Sequence, residues 1–496
     1  MRKRNMSNGE IKKGNIKVNY IYNLAYDILI LIIPLITTPY IARVLSTESV
    51  GIYSFTYANV QYFTAFVALG TKSYAIKRIS RAKNRLEASY AFWDTFILRA
   101  ISGTIALAAY YAYAYFFTES FLICAVQSVY IIAVIFDISW FFQGVENFRT
   151  IILRNAVFKI LTLIAIFVFV KDDSDLIIYM LALSGLTFLG NASLWGYLPR
   201  HLVRIEKSKI RPFTGFSEIL VLFIPTLALQ IYAAVDKTVL GITINDMSQN
   251  GYYEQASKIT HLFFTFITSL AIVALPRISS LFAQRKTEQV RGYMQKSYRF
   301  VLMLSLPLTT GMLSVSGILV EWFLGEKYLA CIPLLNVFSI LYIVVGLSNI
   351  SGFQYLVATD RQNYYSMSIV AGTVANIIMN LILIPSYAAL GAVIASVISE
   401  TLVLVIQMVY IIWIKRELTL FDFFGTSWRY WIGAGVMYGV LWLMRGLHLS
   451  GFWGLVIAAV SGALIYFAII LILRDDMVIG YAKSLINRLK KIRKRA

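Results

Sequence analysis

Phe452-Trp-Gly-Leu-Val-Ile-Ala-Ala-Val-Ser-Gly-Ala-Leu-Ile-Tyr-Phe-Ala-Ile-Ile-Leu-Ile-Leu473 contains no charged residue. A helix needs about 20 apolar residues to cross the hydrocarbon core of a bilayer. Backbone amides find no water there, so only helices or closed barrels can span it. A continuous apolar run, rather than an alternating one, selects the helix. Outward from 452–473, comparable stretches recur at 18–42, 51–70, 90–117, 121–142, 156–170, 176–198, 217–240, 253–275, 300–320, 331–357, 365–384, 391–414 and 430–445. Hydrophobic residues make up 59% of the 496 and charged ones 14%, with a mean hydropathy of +0.70. Lipid must therefore be the solvent. The expected fold class is an all-α polytopic membrane protein with fourteen transmembrane helices.

An even number of spans leaves both termini on one side, and lysine and arginine say which. The outer connections hold only Arg43, Lys171, Lys327 and Arg445, and spans hold Arg99, Lys159, Lys237 and Lys258. The rest of the 45 basic residues lie on the termini and the even-numbered connections. Acidic residues gather outside, at Glu48, Glu119, Asp172, Asp173, Asp175, Asp246, Glu321 and Glu326. Both termini are expected to be cytoplasmic, in a multi-pass protein of the bacterial cytoplasmic membrane.

The net charge of +20 is thus first a topogenic signal. No folded domain exists to present a nucleic-acid groove. The tail cluster Lys490, Lys491, Arg493, Lys494 and Arg495 suits anionic membrane lipid. Cys124 and Cys331 make no disulfide framework, and no Cys/His cluster has metal-ligand spacing. Arg2, Lys3 and Arg4 precede a full-length span without a small-residue cleavage site, which predicts an uncleaved first helix. No Gly-rich phosphate loop and no catalytic constellation appears, so no cofactor is expected and an ATP-driven pump is excluded unless a partner supplies the motor. The connections 71–89, 199–216 and 276–299 are short and basic and read as interfacial helices. A membrane-embedded polysaccharide polymerase would need a larger loop to hold its sugar, so transport is favoured over catalysis.

The chain repeats itself at an offset of about 200 residues, by alignment of polar punctuation. Val44-Leu45 then Gly51-x-Tyr53 answers Val239-Leu240 then Gly251-x-Tyr253. Lys77-Arg78-Ile79-Ser80 answers Pro276-Arg277-Ile278-Ser279, and Arg99 falls opposite Arg299. Each copy has six spans and enters the membrane the same way, so the repeats are parallel. The expected organisation is a basic N-terminus (1–17), two six-helix bundles (18–216 and 217–429), an appended helix pair (430–473) and a basic tail (474–496).

The segment Arg43-Val-Leu-Ser-Thr-Glu-Ser-Val-Gly51-Ile-Tyr53-Ser-Phe resembles the first connection of Wzx-type polysaccharide flippases. Asp236-Lys237-x-x-Leu240-Gly241 and Gly251-Tyr-Tyr253-Glu-Gln-Ala256-x-Lys258 resemble the matching segment of their second half. These proteins belong to the multidrug/oligosaccharidyl-lipid/polysaccharide exporter superfamily. One departure is Ser46-Thr47, where family members often have Leu-Gly-Pro. The resemblance implies two six-helix bundles in a V around a cavity lined mainly by spans 1, 2, 7 and 8. It implies as cargo an undecaprenyl-diphosphate-linked oligosaccharide, carried to the outer leaflet, with spans 13 and 14 forming a groove for the lipid tail. A coupling ion (H+ or Na+), a polysaccharide polymerase and glycosyltransferases are the further partners. The rival within the superfamily is a cation-coupled multidrug exporter, which needs a titrating or sodium-binding acid in its cavity.

Ionisable residues inside spans are costly and each needs a reason. Glu254, Lys258 and His261 share one helical face, while Gln230 shares the face of Lys237 beside Asp236. These six are candidates for an outer gate or a diphosphate contact, with fixed salt bridges or snorkelling lysines as the bland alternative. Asp27 shares a face with Asn23 and is a candidate cavity or coupling residue. Asp137 and Lys159 lie at matching depths on consecutive spans and suggest a structural ion pair. Glu400 has no obvious partner. Tyr53, Tyr57, Gln61 and Thr64 run down one face of span 2, a candidate sugar-facing wall or an interfacial packing stripe. Arg43 completes the candidates as the cation of the first motif.

Overall fold

The computed structural model describes residues 16–480 except 119, 426 and 448; within helices, some side chains, Asn23 and Asp27 among them, lie outside the description. The described residues contain no strand. In chain order the helices are α1 (Ile16–Val44), α2 (Thr47–Ala68), α3 (Thr71–Ser80), α4 (Arg85–Phe117), α5 (Phe121–Gln127), α6 (Val129–Ile135), α7 (Ser139–Gly144), α8 (Phe148–Phe169), α9 (Leu176–Ser193), α10 (Phe216–Thr243), α11 (Ser248–Ala283), α12 (Thr287–Phe323), α13 (Cys331–Phe338), α14 (Ile340–Asn349), α15 (Gln362–Val409), α16 (Leu420–Phe424), α17 (Trp428–Met444) and α18 (Gly451–Ile472).

The fourteen stretches expected to span are mainly helical, although 121–142 is broken into α5, α6 and α7. Among the described residues nine helices are long and apolar enough to cross a membrane. Part of the difference lies in α15, which runs through two expected spans. It bends at Ala388, whose φ of 47° is left-handed, three residues after Pro385. Exposed side chains such as Phe117 (77%), Ile105 (65%) and Leu464 (66%) would be a liability in water and are the ordinary surface in lipid.

Helix ends follow local chemistry. Ser46 caps α2 by accepting from Ser49 N at 3.0 Å. Asn84 caps α4 from Glu87 N at 2.9 Å, and Glu87 reaches back to Lys83 N at 2.8 Å. Gly70, at φ 71°, turns α2 into α3 where a β-carbon would press on the backbone of Leu222 and Phe223. Of the expected interfacial helices, 71–89 contributes α3, with Tyr74 and Ile79 buried. The 199–216 connection instead holds short 3-10 turns. The 276–299 connection is absorbed into the ends of α11 and α12, leaving only 284–286 between them. Hydropathy sees only the apolar part of such a helix, so its amphipathic extension reads as a loop.

The described residues divide into two compact units, within 1–251 and 252–496. In the first, α2 packs on α4 and α10, α6 on α9, and α1 on α8. Its basic end, where the even-numbered connections lie, is cemented by Phe92, Trp140, Phe141, Phe142 and Ile79, all nearly or fully buried. In the second, α12 packs against α14, α17 and α18. Ion pairs strap its basic end. Asp422 takes two bonds from Arg291 Nε, at 3.0 and 3.1 Å, and Asp475 accepts from Arg299 at 2.9 Å.

Candidate functional site

A cavity of about 470 Å³ lies inside the first unit, among α1, α2, α6, α8 and α9. Residues 53, 57, 61 and 64 project from one face of α2 because helical neighbours recur every three to four positions. All four, Tyr53, Tyr57, Gln61 and Thr64, line this cavity. Tyr53 and Tyr57 stack at 5.6 Å between ring centres, and Tyr130 of α6 meets Tyr57 at 4.9 Å. Tyr53 also abuts Tyr179 edge-on at 5.1 Å, which fixes the wall.

Opposite stand Arg154, Asn155 and Lys159 of α8, with Asn191 of α9. Arg154 donates to Asn191 Oδ1 at 2.9 Å, and Asn191 Nδ2 donates to the Ala133 carbonyl at 2.7 Å. Gly190 lets the helices approach: a β-carbon there would lie 3.2 Å from the Phe158 ring of α8. No carboxylate is among the lining residues described. The cavity thus offers flat aromatic faces, amides and two cations. Sequence reading missed Arg154, Asn155, Asn191 and Tyr130. With a span beginning at 156, Arg154 counts as a loop charge; α8 begins at Phe148 and carries it into the wall.

Lys159 takes this cavity position rather than the expected ion pair. Asp137 faces Arg99 instead: its carboxylate lies 3.9 Å from the Arg99 guanidinium, and its carbonyl accepts from Arg99 at 3.1 Å. Arg99 is only 3% exposed, so the paired charge is taken out of solvent. Arg99 reaches Asp137 from α4.

The other candidates are dispersed. Arg43 ends α1, exposed, and donates to the Pro39 carbonyl at 3.2 Å. Asp27 lies outside the described side chains. In the first unit Asp236 is buried, while Gln230 and Lys237 are half-buried. Next to them Tyr62 donates to Thr238, which donates to Asn59, both at 3.0 Å. In the second unit Lys258 pairs with Glu254 at 3.0 Å along α11, and His261 meets Phe264 edge-on at 5.3 Å. Among the described residues no group of three or more His, Cys, Asp or Glu could hold a metal ion.

This arrangement of helices is that of known polytopic transporters. The structure titled "Lipid II flippase MurJ, inward closed conformation" matches with a TM-score of 0.70 at 16% identity, covering 93% of this chain and all of that one. An inward-facing multidrug resistance MATE family transporter of the MOP superfamily matches with a TM-score of 0.60 at 14% identity, covering 79% and 93%. At these identities the likeness is one of fold: an all-helical, multi-pass membrane protein. Residues 16–282 match the family described as "Polysaccharide biosynthesis protein", and the chain belongs to that family. A relative from Escherichia coli (strain K12), named "Putative O-antigen transporter", is 22% identical over 77% of this chain and 92% of its own length.

Proposed function

We propose that this protein is a flippase that carries a lipid-linked oligosaccharide from the inner to the outer leaflet of the cell membrane. The carrying observation is the cavity of the first unit. Tyr53, Tyr57 and Tyr130 offer aromatic faces and hydroxyls to sugar rings, while Gln61, Asn155 and Asn191 offer amides to sugar hydroxyls. Arg154 and Lys159 offer a diphosphate two cations in a low-dielectric site. The name of the Escherichia coli relative, "Putative O-antigen transporter", supports the same class of cargo. We assign that cargo as an undecaprenyl-diphosphate-linked repeat unit, whose unequal binding to two arrangements of the protein drives alternating access. No carboxylate among the lining residues described supplies the titrating or sodium-binding acid that the rival, a cation-coupled multidrug exporter, needs. The basic ends face the cytoplasm in this reading, and Glu254 with Lys258 serves gating at the other end.

Depletion of the protein in its own cells, followed by analysis of lipid-linked intermediates, tests this. One oligosaccharide should accumulate on its carrier in the inner leaflet while surface polymer falls. Unchanged intermediates and unchanged polymer after depletion would contradict the assignment.

A further inference from the structure

A second cavity, of about 590 Å³, opens at the basic end of the first unit between the start of α8 and residues 193–201. Its charged lining is Arg149, Arg154 and Arg200, with His201 beside them and no carboxylate among the lining residues described. Arg154 and Phe158 line both this cavity and the tyrosine-walled one, so the two are neighbours sharing one guanidinium. Arg154 Nη1 is held by Asn191, and its Nε is buried with no partner among the described residues. The first turn of α8, capped by Asn147, adds the partial positive charge of a helix start.

The outer face of α8 continues from this cavity as Leu153, Val157, Ile160, Ile164 and Val168, each at least 43% exposed. Spacings of three and four put them on one stripe along the helix. A basic pocket alone would suit any anion, and an apolar stripe alone is ordinary lipid-facing surface. Their junction is complementary to a molecule with an anionic phosphate head and a long hydrocarbon tail.

We propose that this cavity binds the phosphate or diphosphate head of a lipid, whose chain lies along the exposed stripe of α8. Arg149, Arg200 and Arg154 then supply charge-assisted hydrogen bonds to the phosphate oxygens, and Val157 with its stripe neighbours holds the chain. Binding is measured without transport, so failure here leaves the flippase reading standing, and the reverse also holds.

The test is native mass spectrometry of the purified full-length chain. The probes are phosphatidylglycerol, undecaprenyl diphosphate, phosphatidylcholine and inorganic pyrophosphate. Arg149→Gln combined with Arg200→Gln should weaken binding of an anionic lipid by about tenfold or more, because charged hydrogen bonds are lost. The exposed pair Lys207→Gln with Lys209→Gln at the same end should change it by less than about twofold. A selective loss for undecaprenyl diphosphate assigns the cavity to the carrier lipid, and a selective loss for phosphatidylglycerol assigns it to a bilayer lipid. Unchanged affinity for both lipids, or equal weakening by the lysine control, overturns the proposal. So does binding of phosphatidylcholine as tight as that of the anionic lipids, or of pyrophosphate as tight as that of either. If the double variant does not fold, Arg200→Gln alone carries the same comparison, with a loss of about threefold or more expected.

Discussion

Gly51 and Gly251 meet where neither leaves room for a β-carbon. One built on Gly51 would lie 1.8 Å from the Met247 carbonyl oxygen, and one on Gly251 would lie 2.1 Å from that of Thr47. The contact is reciprocal, and Thr47 Oγ1 donates to Ser248 Oγ beside it at 3.1 Å. These are the two glycines that the internal repeat aligns.

Because the obstruction is backbone, neither glycine tolerates alanine without displacement of a chain segment. Gly51→Ala and Gly251→Ala should each destabilise the protein by about 1–3 kcal/mol or more. Unfolding temperature in detergent checks this, with Gly292→Ala, which meets nothing within 4 Å, as the unaffected control.

Asp137 and Arg99 form a largely buried pair, and removing either partner should leave the other uncompensated. Asp137→Ala or Arg99→Ala should cost about 3 kcal/mol. Lys159→Ala should cost less than about 1 kcal/mol, as its side chain serves the cavity and not this pair. A double-mutant cycle should find coupling between residues 99 and 137 and none between 137 and 159.

The pairing error shows what a sequence can carry. Apolar runs depend on residues near one another in the chain, so the expected spans are mainly helical. Repeat partners also behave alike, since Ile79 and Ile278 are both fully buried. The tyrosine stripe was legible because one helix fixes its face. Arg154 and the partner of Asp137 were not, because each depends on which helices become neighbours and on how far a helix extends beyond its apolar stretch.

Acid should loosen the basic end of the second unit. Burial alone would raise the Glu417 pKa, but hydrogen bonds from Arg361 and Tyr355 and the charges of Arg361 and Lys415 outweigh it, holding the carboxyl below its ordinary 4.5. A lowered folded-state pKa means that stability is fully present above about pH 4.5, the ordinary value, and is lost as pH falls through the folded value. Unfolding temperature should therefore drop below that pH, and Glu417→Gln should flatten the drop. An identical profile for the variant would remove this pair as the cause.

Cysteines placed on the basic connections test the orientation. Lys83 and Thr287 are exposed, while the native Cys124 and Cys331 are buried. Lys83→Cys and Thr287→Cys should resist an impermeant thiol reagent in intact cells and react after permeabilisation. Reaction of either before permeabilisation would reverse the assigned sides.

In the proposed function, the cavity of the first unit carries a lipid-linked oligosaccharide across the membrane. The most direct measurement of this uses proteoliposomes containing the lipid-linked repeat unit and an impermeant glycosidase outside. With wild-type protein, substrate initially protected in the inner leaflet should become digestible. Tyr57→Ala with Lys159→Ala should slow that exposure at least about tenfold, while folding and incorporation stay normal. Equal rates for the wild type and the double variant, or for the wild type and protein-free liposomes, would contradict this role for the cavity.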